Sequence, residues 1–493
     1  MKRLKPVMFV GTGSDVGKSV INAAFCRIFL QDGYSPAPFK AQNMSLNSYA
    51  SAEGLELGRA QAVQAEACGI PCLSAMNPIL LKPTSSVKAQ VILHGKPIGN
   101  QSAQEYFMQT DRDFLFGEAM KAWHSLNEKY NPIVMEGAGS ISEVNLWDKD
   151  ITNMRVALAT QSPVILVADI DRGGVFGSVY GTVSLLPEAE RKLIKGILIN
   201  KFRGDIGLFA EGRKMMEELT GVPVIGVVPY FSDIHIDQED SVVIDRKRGN
   251  RNGQGINMAV VLLRHMSNFT DFNYLERMPA VNLYYTASPE ELSQADVVLL
   301  PGSKNTIGDL LDLRKRGMAK AILQAHDAGK GVYGICGGYQ MMGKEIRDPD
   351  HVEGEVERVP GLGLLPVVTT LTREKKTVQT RFRFKDRAED CTGYEIHMGE
   401  TRLEGGEPLC ATMAGTPDGC FVSARLWGTY LHGILDNQAV AEEILKAAGR
   451  QGSDRFDYAS FKEEQYNKLA AHVRANVDMD YVYSVMQVDR CGQ

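Results

Sequence analysis

Val7-Met-Phe-Val-Gly11-Thr-Gly-Ser-Asp-Val-Gly17-Lys18-Ser19 is an apolar run that opens into a glycine-rich loop, followed by the helical pattern VINAAFCRIFLQDG (20–33). Strand, loop and helix in this succession predict a phosphate loop. Its backbone N–H groups and the helix N-terminus suit phosphate oxygens. Gly11, Thr12, Gly13 and Gly17 form the loop. Lys18 supplies a point charge for the β- and γ-phosphates of ATP, and Ser19 a hydroxyl for Mg²⁺. The spacing departs from the strict pattern, whose first glycine falls here on Thr12; Gly11 stands one residue earlier.

Further runs continue the theme outward: NPIVMEGAG (131–139), SPVILVADID (162–171), KGILINKFRGD (195–205) and VPVIGVVPY (222–230). They are unbroken rather than alternating, as in strands buried on both faces of a parallel sheet. A second series follows in INMAVVLLRH (256–265), ADVVLLPGS (295–303), KGVYGICGG (330–338) and SARLWGTYLHG (423–433). Between them IDQEDSVVIDRKRGNRNGQG (236–255) is polar and glycine-rich, and reads as a linker. The expected organisation is α/β throughout: two domains, each a mostly parallel sheet flanked by helices, over 1–235 and 256–440. Residues 441–493 are expected to form a helical tail packed on the second domain.

At roughly 100–200 residues per domain, 493 residues accommodate this division. The 54 basic and 60 acidic side chains leave a net charge of −6, which argues against a dedicated nucleic-acid or membrane-surface binder. Eight cysteines without a CxxC pair read as reduced thiols in a cytoplasm. No apolar stretch approaches membrane-spanning length. Small-molecule ligands are expected, and no obligatory protein partner.

Gly334-Ile-Cys336-Gly337-Gly338-Tyr-Gln340 follows an apolar run and precedes a helical one. This is a nucleophile-elbow arrangement carrying cysteine, at a helix start that favours the thiolate. A base is required, and His432 in Gly428-Thr-Tyr-Leu-His432-Gly follows another apolar strand. Leu300-Pro-Gly302-Ser303-Lys-Asn305 supplies a loop whose N–H groups, near Gly302 and Ser303, would join Gly337 in binding an oxyanion.

GTxxxxGK[ST] with a later strand ending Glu136-Gly-Ala-Gly139 resembles the dethiobiotin synthetase family, which activates a carboxylate with ATP. The resemblance implies a Mg²⁺ role for Glu136 beside Ser19. It implies adenine-edge recognition at Asn200, which is equally a turn former, and a nucleotide-covering loop at Pro229. Asp169 and Asp171 organise the metal or cap a helix. The G-x-C-G-G-x-Q … Y-L-H-G combination resembles class I glutamine amidotransferases. There a Glu two residues after the histidine orients it; Ile434 stands here, so no third member is assigned. The two halves in this order resemble the cobyric acid synthase family nearly end to end. Further motifs carrying the likeness include FKAQNMSLNSY (39–49), MNPILLKP (76–83) and GYEIHMG (393–399). That resemblance implies glutamine as nitrogen donor and a corrinoid substrate, adenosylcobyrinic acid a,c-diamide, amidated at four carboxylates. The sister reading, cobyrinic acid a,c-diamide synthase, is disfavoured by the amides of Lys40-Ala-Gln42-Asn43-Met-Ser45. A nucleotide-switch ATPase is disfavoured by Cys336. Lys40, Asn43 and Ser45 are weaker substrate candidates, with Tyr394 a guess. His397 lines the domain junction or sits in a core.

Overall fold

The computed structural model describes residues 2–84, 88–102, 105–106, 111–237, 255–413, 415–450 and 456–488. Most of the expected linker and Cys491 lie outside them. Six strands build the first domain's sheet: β1 (Val7–Gly11), β2 (Ala37–Phe39), β3 (Ile133–Glu136), β4 (Val164–Asp169), β5 (Ile194–Phe202) and β6 (Val224–Pro229). Their order is β6-β5-β4-β1-β3-β2, all parallel. Every residue of β1, β3 and β4 is buried, which explains runs of Val, Ile and Leu without polar alternation. Phe9 of β1 pairs with Ile165 on one side and Glu136 on the other. The chain leaving β1 through α1 (Lys18–Gln31) must therefore pass over β3 to reach β2. Strand order reverses there, and the loops after β1, β3 and β4 converge into the crevice where α/β folds take ligands. Helix α2 (Arg59–Ala67) packs on α1 and brings side chains back to the end of β3.

The second domain repeats the principle. Strands β7 (Ile256–Val261), β8 (Val281–Thr286), β9 (Val297–Leu300), β10 (Gly331–Ile335), β13 (Cys420–Ser423) and β14 (Leu426–Thr429) form a sheet ordered β8-β7-β9-β10-β14-β13. Only β13 runs antiparallel to its neighbour. Helix α3 (Thr306–Lys315) follows β9, and α4 (Gly337–Met342) starts directly after β10. A long antiparallel pair, β11 (Val367–Phe384) and β12 (Asp390–Leu403), stands outside this sheet and reaches the first domain. There Gln379 donates to Ala50 O at 2.8 Å and the Tyr49 and Tyr394 rings lie 4.5 Å apart. Ser48 N donates to Asn268 Oδ1 at 3.0 Å, and Phe269 N to Asn47 Oδ1 at 3.2 Å.

The tail departs from expectation. Helix α5 (Gln438–Ala447) does join the second domain's core. Helices α6 (Tyr458–Arg474) and α7 (Met479–Val485) instead close the outer face of the first domain, with Tyr458, at the start of α6, also meeting Tyr274 of the second. Tyr466, Leu469, Ala470 and Val473 share a core with Phe25 and Phe29 of α1. Ion pairs Arg27–Glu463 (3.0 Å) and Arg474–Asp32 (2.8 Å) flank that seam. The apolar face of α6 was legible in sequence, but its partner was not, because the chain crosses back between domains. Leu469 is fully buried, so Leu469→Ala should lower unfolding stability by about 2–5 kcal/mol. Amide exchange in α1 should accelerate with it; faster exchange confined to the second domain would contradict this seat for the tail.

Candidate active site

The first centre sits where β1, β3 and β4 end. Lys18, at the start of α1, donates from Nζ to Gly13 O (2.9 Å) and Gly139 O (2.8 Å), tying the phosphate loop to the loop after β3. Glu136 closes β3 and is buried; its Oε1 accepts from Ser19 Oγ (2.8 Å) and Lys40 Nζ (2.9 Å), and its Oε2 from Gln64 Nε2 (2.7 Å). Burial opposes its charge, but the Lys40 ammonium and these three donors outweigh burial and hold the carboxyl below its ordinary range. Lys18, Ser19, Lys40, Asn43 and Glu136 face one cavity of about 720 Å³. Asn200 and Pro229 also line it. The Asn200 amide donates to Val16 O at 2.9 Å, so its N–H bracing holds the phosphate loop, while Pro229 O accepts from His472 Nε2 at 2.9 Å. Asp169 binds Lys201 at 2.8 Å and accepts from Asp171 N, and Asp171 pairs with Arg203.

The second centre lies at the ends of β10 and β14. Cys336 has φ 51° and ψ −109°, the strained backbone of an elbow that lifts a side chain out of a strand–helix turn. The Cys336 thiol donates to Ile396 O at 3.6 Å, and its sulfur stands close enough to His432 to favour the imidazolium. The His432 Nδ1 lies 2.7 Å from Asp271 Oδ2, leaving Nε2 toward the sulfur. Asp271 Oδ1 accepts from Gly433 N at 2.9 Å, so one carboxylate fixes both the imidazole and the backbone beyond it. The strand Gly302–Ser303 runs alongside: a Cβ at Gly302 would stand 3.2 Å from His432 Cε1, and one at Gly337 2.7 Å from Ser303 N. A Cβ would clash with backbone at Gly337 and would be tight at Gly302.

Two family models match this chain. One, for a CobQ/CobB/MinD/ParA nucleotide binding domain, covers residues 7–243; the other, for a CobB/CobQ-like glutamine amidotransferase domain, covers 257–440. A cobyric acid synthase of Bacteroides fragilis is 60% identical over 490 residues, spanning 98% of this chain and 99% of its own. That of Parabacteroides distasonis is 58% identical over the same 98% and 99%, and that of Salmonella choleraesuis 47% identical over 504 residues and 98% of each chain. The chain belongs to the cobyric acid synthase family. It is a glutamine-dependent amidotransferase of the carbon–nitrogen ligase type, with a nucleotide-binding domain ahead of its glutaminase domain.

The acid against His432 is Asp271, 161 residues upstream in the chain. Ile434 is fully buried and packs in the core. Burial disfavours the His432 imidazolium, yet the Asp271 carboxylate and the Cys336 sulfur more than reverse this and push it up to about 10. Ser45 does not reach the cavity; its hydroxyl donates to Asn47 O at 3.1 Å, shaping the turn. Tyr394 stacks on His432 (5.3 Å, 24° between planes) and so packs on this imidazole rather than lining the cavity of the first centre. His397 is buried, stacked on Tyr430 at 3.7 Å and bonded to Glu395 at 3.0 Å, as a core histidine would be. Seven cysteines are described, all free and buried. Among the described residues no helix is long and apolar enough to cross a membrane.

Proposed function

We propose that this chain makes adenosylcobyric acid in cobalamin biosynthesis, by amidating the b, d, e and g carboxylates of adenosylcobyrinic acid a,c-diamide. Each amidation consumes one ATP and one glutamine. Support comes from one observation above others: a phosphate-loop centre and a Cys–His–Asp centre share a chain that aligns end to end with cobyric acid synthases.

Cys336 attacks the glutamine side-chain amide while His432, oriented by Asp271, protonates the departing ammonia. The N–H groups of Ser303 and Gly337 stabilise the tetrahedral oxyanion. His432 then activates water against the thioester, releasing glutamate. Ammonia crosses within the protein, since in bulk water at neutral pH most of it would be protonated and non-nucleophilic. At the first centre a substrate carboxylate takes the γ-phosphoryl group of ATP, forming an acyl phosphate and releasing ADP, with Lys18 neutralising charge on the transferred group. Ammonia then displaces phosphate from the acyl phosphate, leaving an amide. Ser19 and Glu136 fit a Mg²⁺ ion, because a hydroxyl and one carboxylate beside phosphate oxygens is the sparse donor set this ion accepts. The ion would neutralise phosphate charge there. Lys40, Arg112, Lys149 and Arg155 line the cavity among acids that include Glu143, Asp150 and Asp171, and these cations would meet the carboxylates of such a substrate.

Mass spectrometry of the corrinoid after incubation with ATP and glutamine tests the reading. Four new amides are expected on the a,c-diamide. Conversion of unamidated cobyrinic acid to a diamide, with no reaction of the a,c-diamide, would transfer the chain to the sister activity.

A further inference from the structure

Beside Cys336, where the long hairpin meets the first domain, buried charge does not balance. Glu56 is fully buried and binds two ammonium groups, Lys82 at 2.7 Å and Lys375 of β11. Ser48 Oγ bridges Lys82 and Glu56 at 2.7 Å each, and Gln90 Oε1 takes Lys375 at 3.3 Å. A third ammonium, that of Lys304, stands in the same neighbourhood, within the field of Lys82, Glu353, Glu56 and Cys336. Among the described residues it forms no ion pair and no side-chain hydrogen bond. Glu353, the acid facing it, is turned to the start of α3, where it accepts from Ile307 N at 2.9 Å. Burial raises the Glu353 carboxyl to about 7 despite that N–H, so it neutralises Lys304 incompletely. Lys304 is half-buried, so part of its hydration is lost with no ion pair among the described residues to replace it. Lys82, Lys375 and Lys304 crowd around one committed carboxylate, and burial together with the neighbouring Lys82 and Lys304 pulls Lys375 down to about 7; an anion bound here would relieve that crowding.

The backbone at this place is held firmly. Lys304 directly follows Gly302–Ser303, the strand against His432, and its N donates to His265 O at 2.9 Å. Ser303 Oγ donates to Asp309 at 2.7 Å and accepts from Asn305 N at 3.0 Å, and Asn305 Oδ1 caps α3 through Gly308 N at 3.0 Å. A lysine projecting from a braced segment next to the nucleophile is preorganised for a small anionic ligand. Glutamine carries such a group, its α-carboxylate, at the far end of a short chain from the amide that Cys336 attacks.

We propose that Lys304 determines donor specificity by binding the α-carboxylate of glutamine. This rests on the assignment of Cys336 as nucleophile. The test uses the full-length protein with Lys304→Met and Lys304→Arg, and two amides: glutamine, and 4-aminobutanamide, which lacks only the α-carboxylate. Lys304→Met should lower kcat/KM for glutamine by roughly ten- to a hundredfold, mainly through KM, as expected for one charge-assisted contact. Turnover of 4-aminobutanamide and ammonia-driven amidation should stay at wild-type levels, and Lys304→Arg should recover part of the loss. Retained preference for glutamine in Lys304→Met would overturn the proposal, as would an equal loss with both amides and with ammonia. Glutamate release by Cys336→Ala separates the two failures: if that variant hydrolyses glutamine the nucleophile assignment falls, and if it does not, an unchanged Lys304→Met refutes the carboxylate role alone.

Discussion

Cys336→Ala is expected to reduce glutamine hydrolysis by about 10⁵–10⁶-fold while leaving ammonia-driven amidation intact. The magnitude follows from removing the nucleophile of a unit whose members act together. No other described cysteine shares its setting: Cys410 faces the Asp418 carboxylate at 3.9 Å rather than an imidazole, and burial raises the thiols of Cys391, Cys410 and Cys420. The synthetase centre, built on Lys18 and Glu136, depends on the first domain's strands and α2 and is untouched by the change. The assay pairs glutamate release with corrinoid amidation, run with glutamine and then with an ammonium salt at alkaline pH. Alanine at φ 51° inherits the same backbone strain as cysteine, so ammonia-driven activity also reports intact folding. Glutamine-supported amidation by the variant would remove Cys336 from the mechanism.

That experiment addresses the part of the site most open to reading from sequence. The phosphate loop and the elbow are local: glycines, a lysine and a cysteine act within a few residues of one strand end, so their spacing survives in the linear chain. The same holds for Glu136, whose strand ends in Glu-Gly-Ala-Gly. Burial on both faces also made most core strands legible as unbroken apolar runs. What escaped was the long hairpin, whose β11 reads TREKKTVQTRFRF because much of it is solvated, and strand β8, whose VNLYYT is only half apolar. The seat of α6 and α7 escaped for another reason, since an amphipathic face does not name its partner. Ser45, named for its company in a motif, has a hydroxyl that serves the backbone two residues on, a local role that sequence does not distinguish from ligand binding. Asp271 left a faint trace, an acid among the aromatic residues of NFTDFNYL, buried at 2% exposure. Such a residue must be paired, but nothing in the linear chain points to His432.

Asp271→Asn is expected to lower glutaminase kcat by about 10⁴-fold, with ammonia-driven amidation unchanged. An amide in place of the carboxylate can present N–H to Nδ1, stabilising the wrong tautomer of His432 and withdrawing the charge that supports imidazolium; in a serine protease triad the same change costs about 10⁴. The pH behaviour gives an independent signature. Burial alone would depress the His432 imidazolium below its ordinary 6.5, and Asp271 leads the groups that lift it to about 10. A base whose folded pKa is raised contributes stability that is full below 6.5 and fades as pH climbs through about 10. In Asp271→Asn that alkaline decline should flatten, and the alkaline limb of glutaminase activity should move to lower pH. Denaturant titrations at several pH values and a pH–rate profile read both. Ile434→Glu, which restores an acid at the family's usual position, should not rescue the variant, because Ile434 is fully buried in the core and a carboxylate there would be desolvated without a partner. Recovery of activity in that double variant, or an unchanged alkaline limb in Asp271→Asn, would show that His432 takes its orientation from elsewhere.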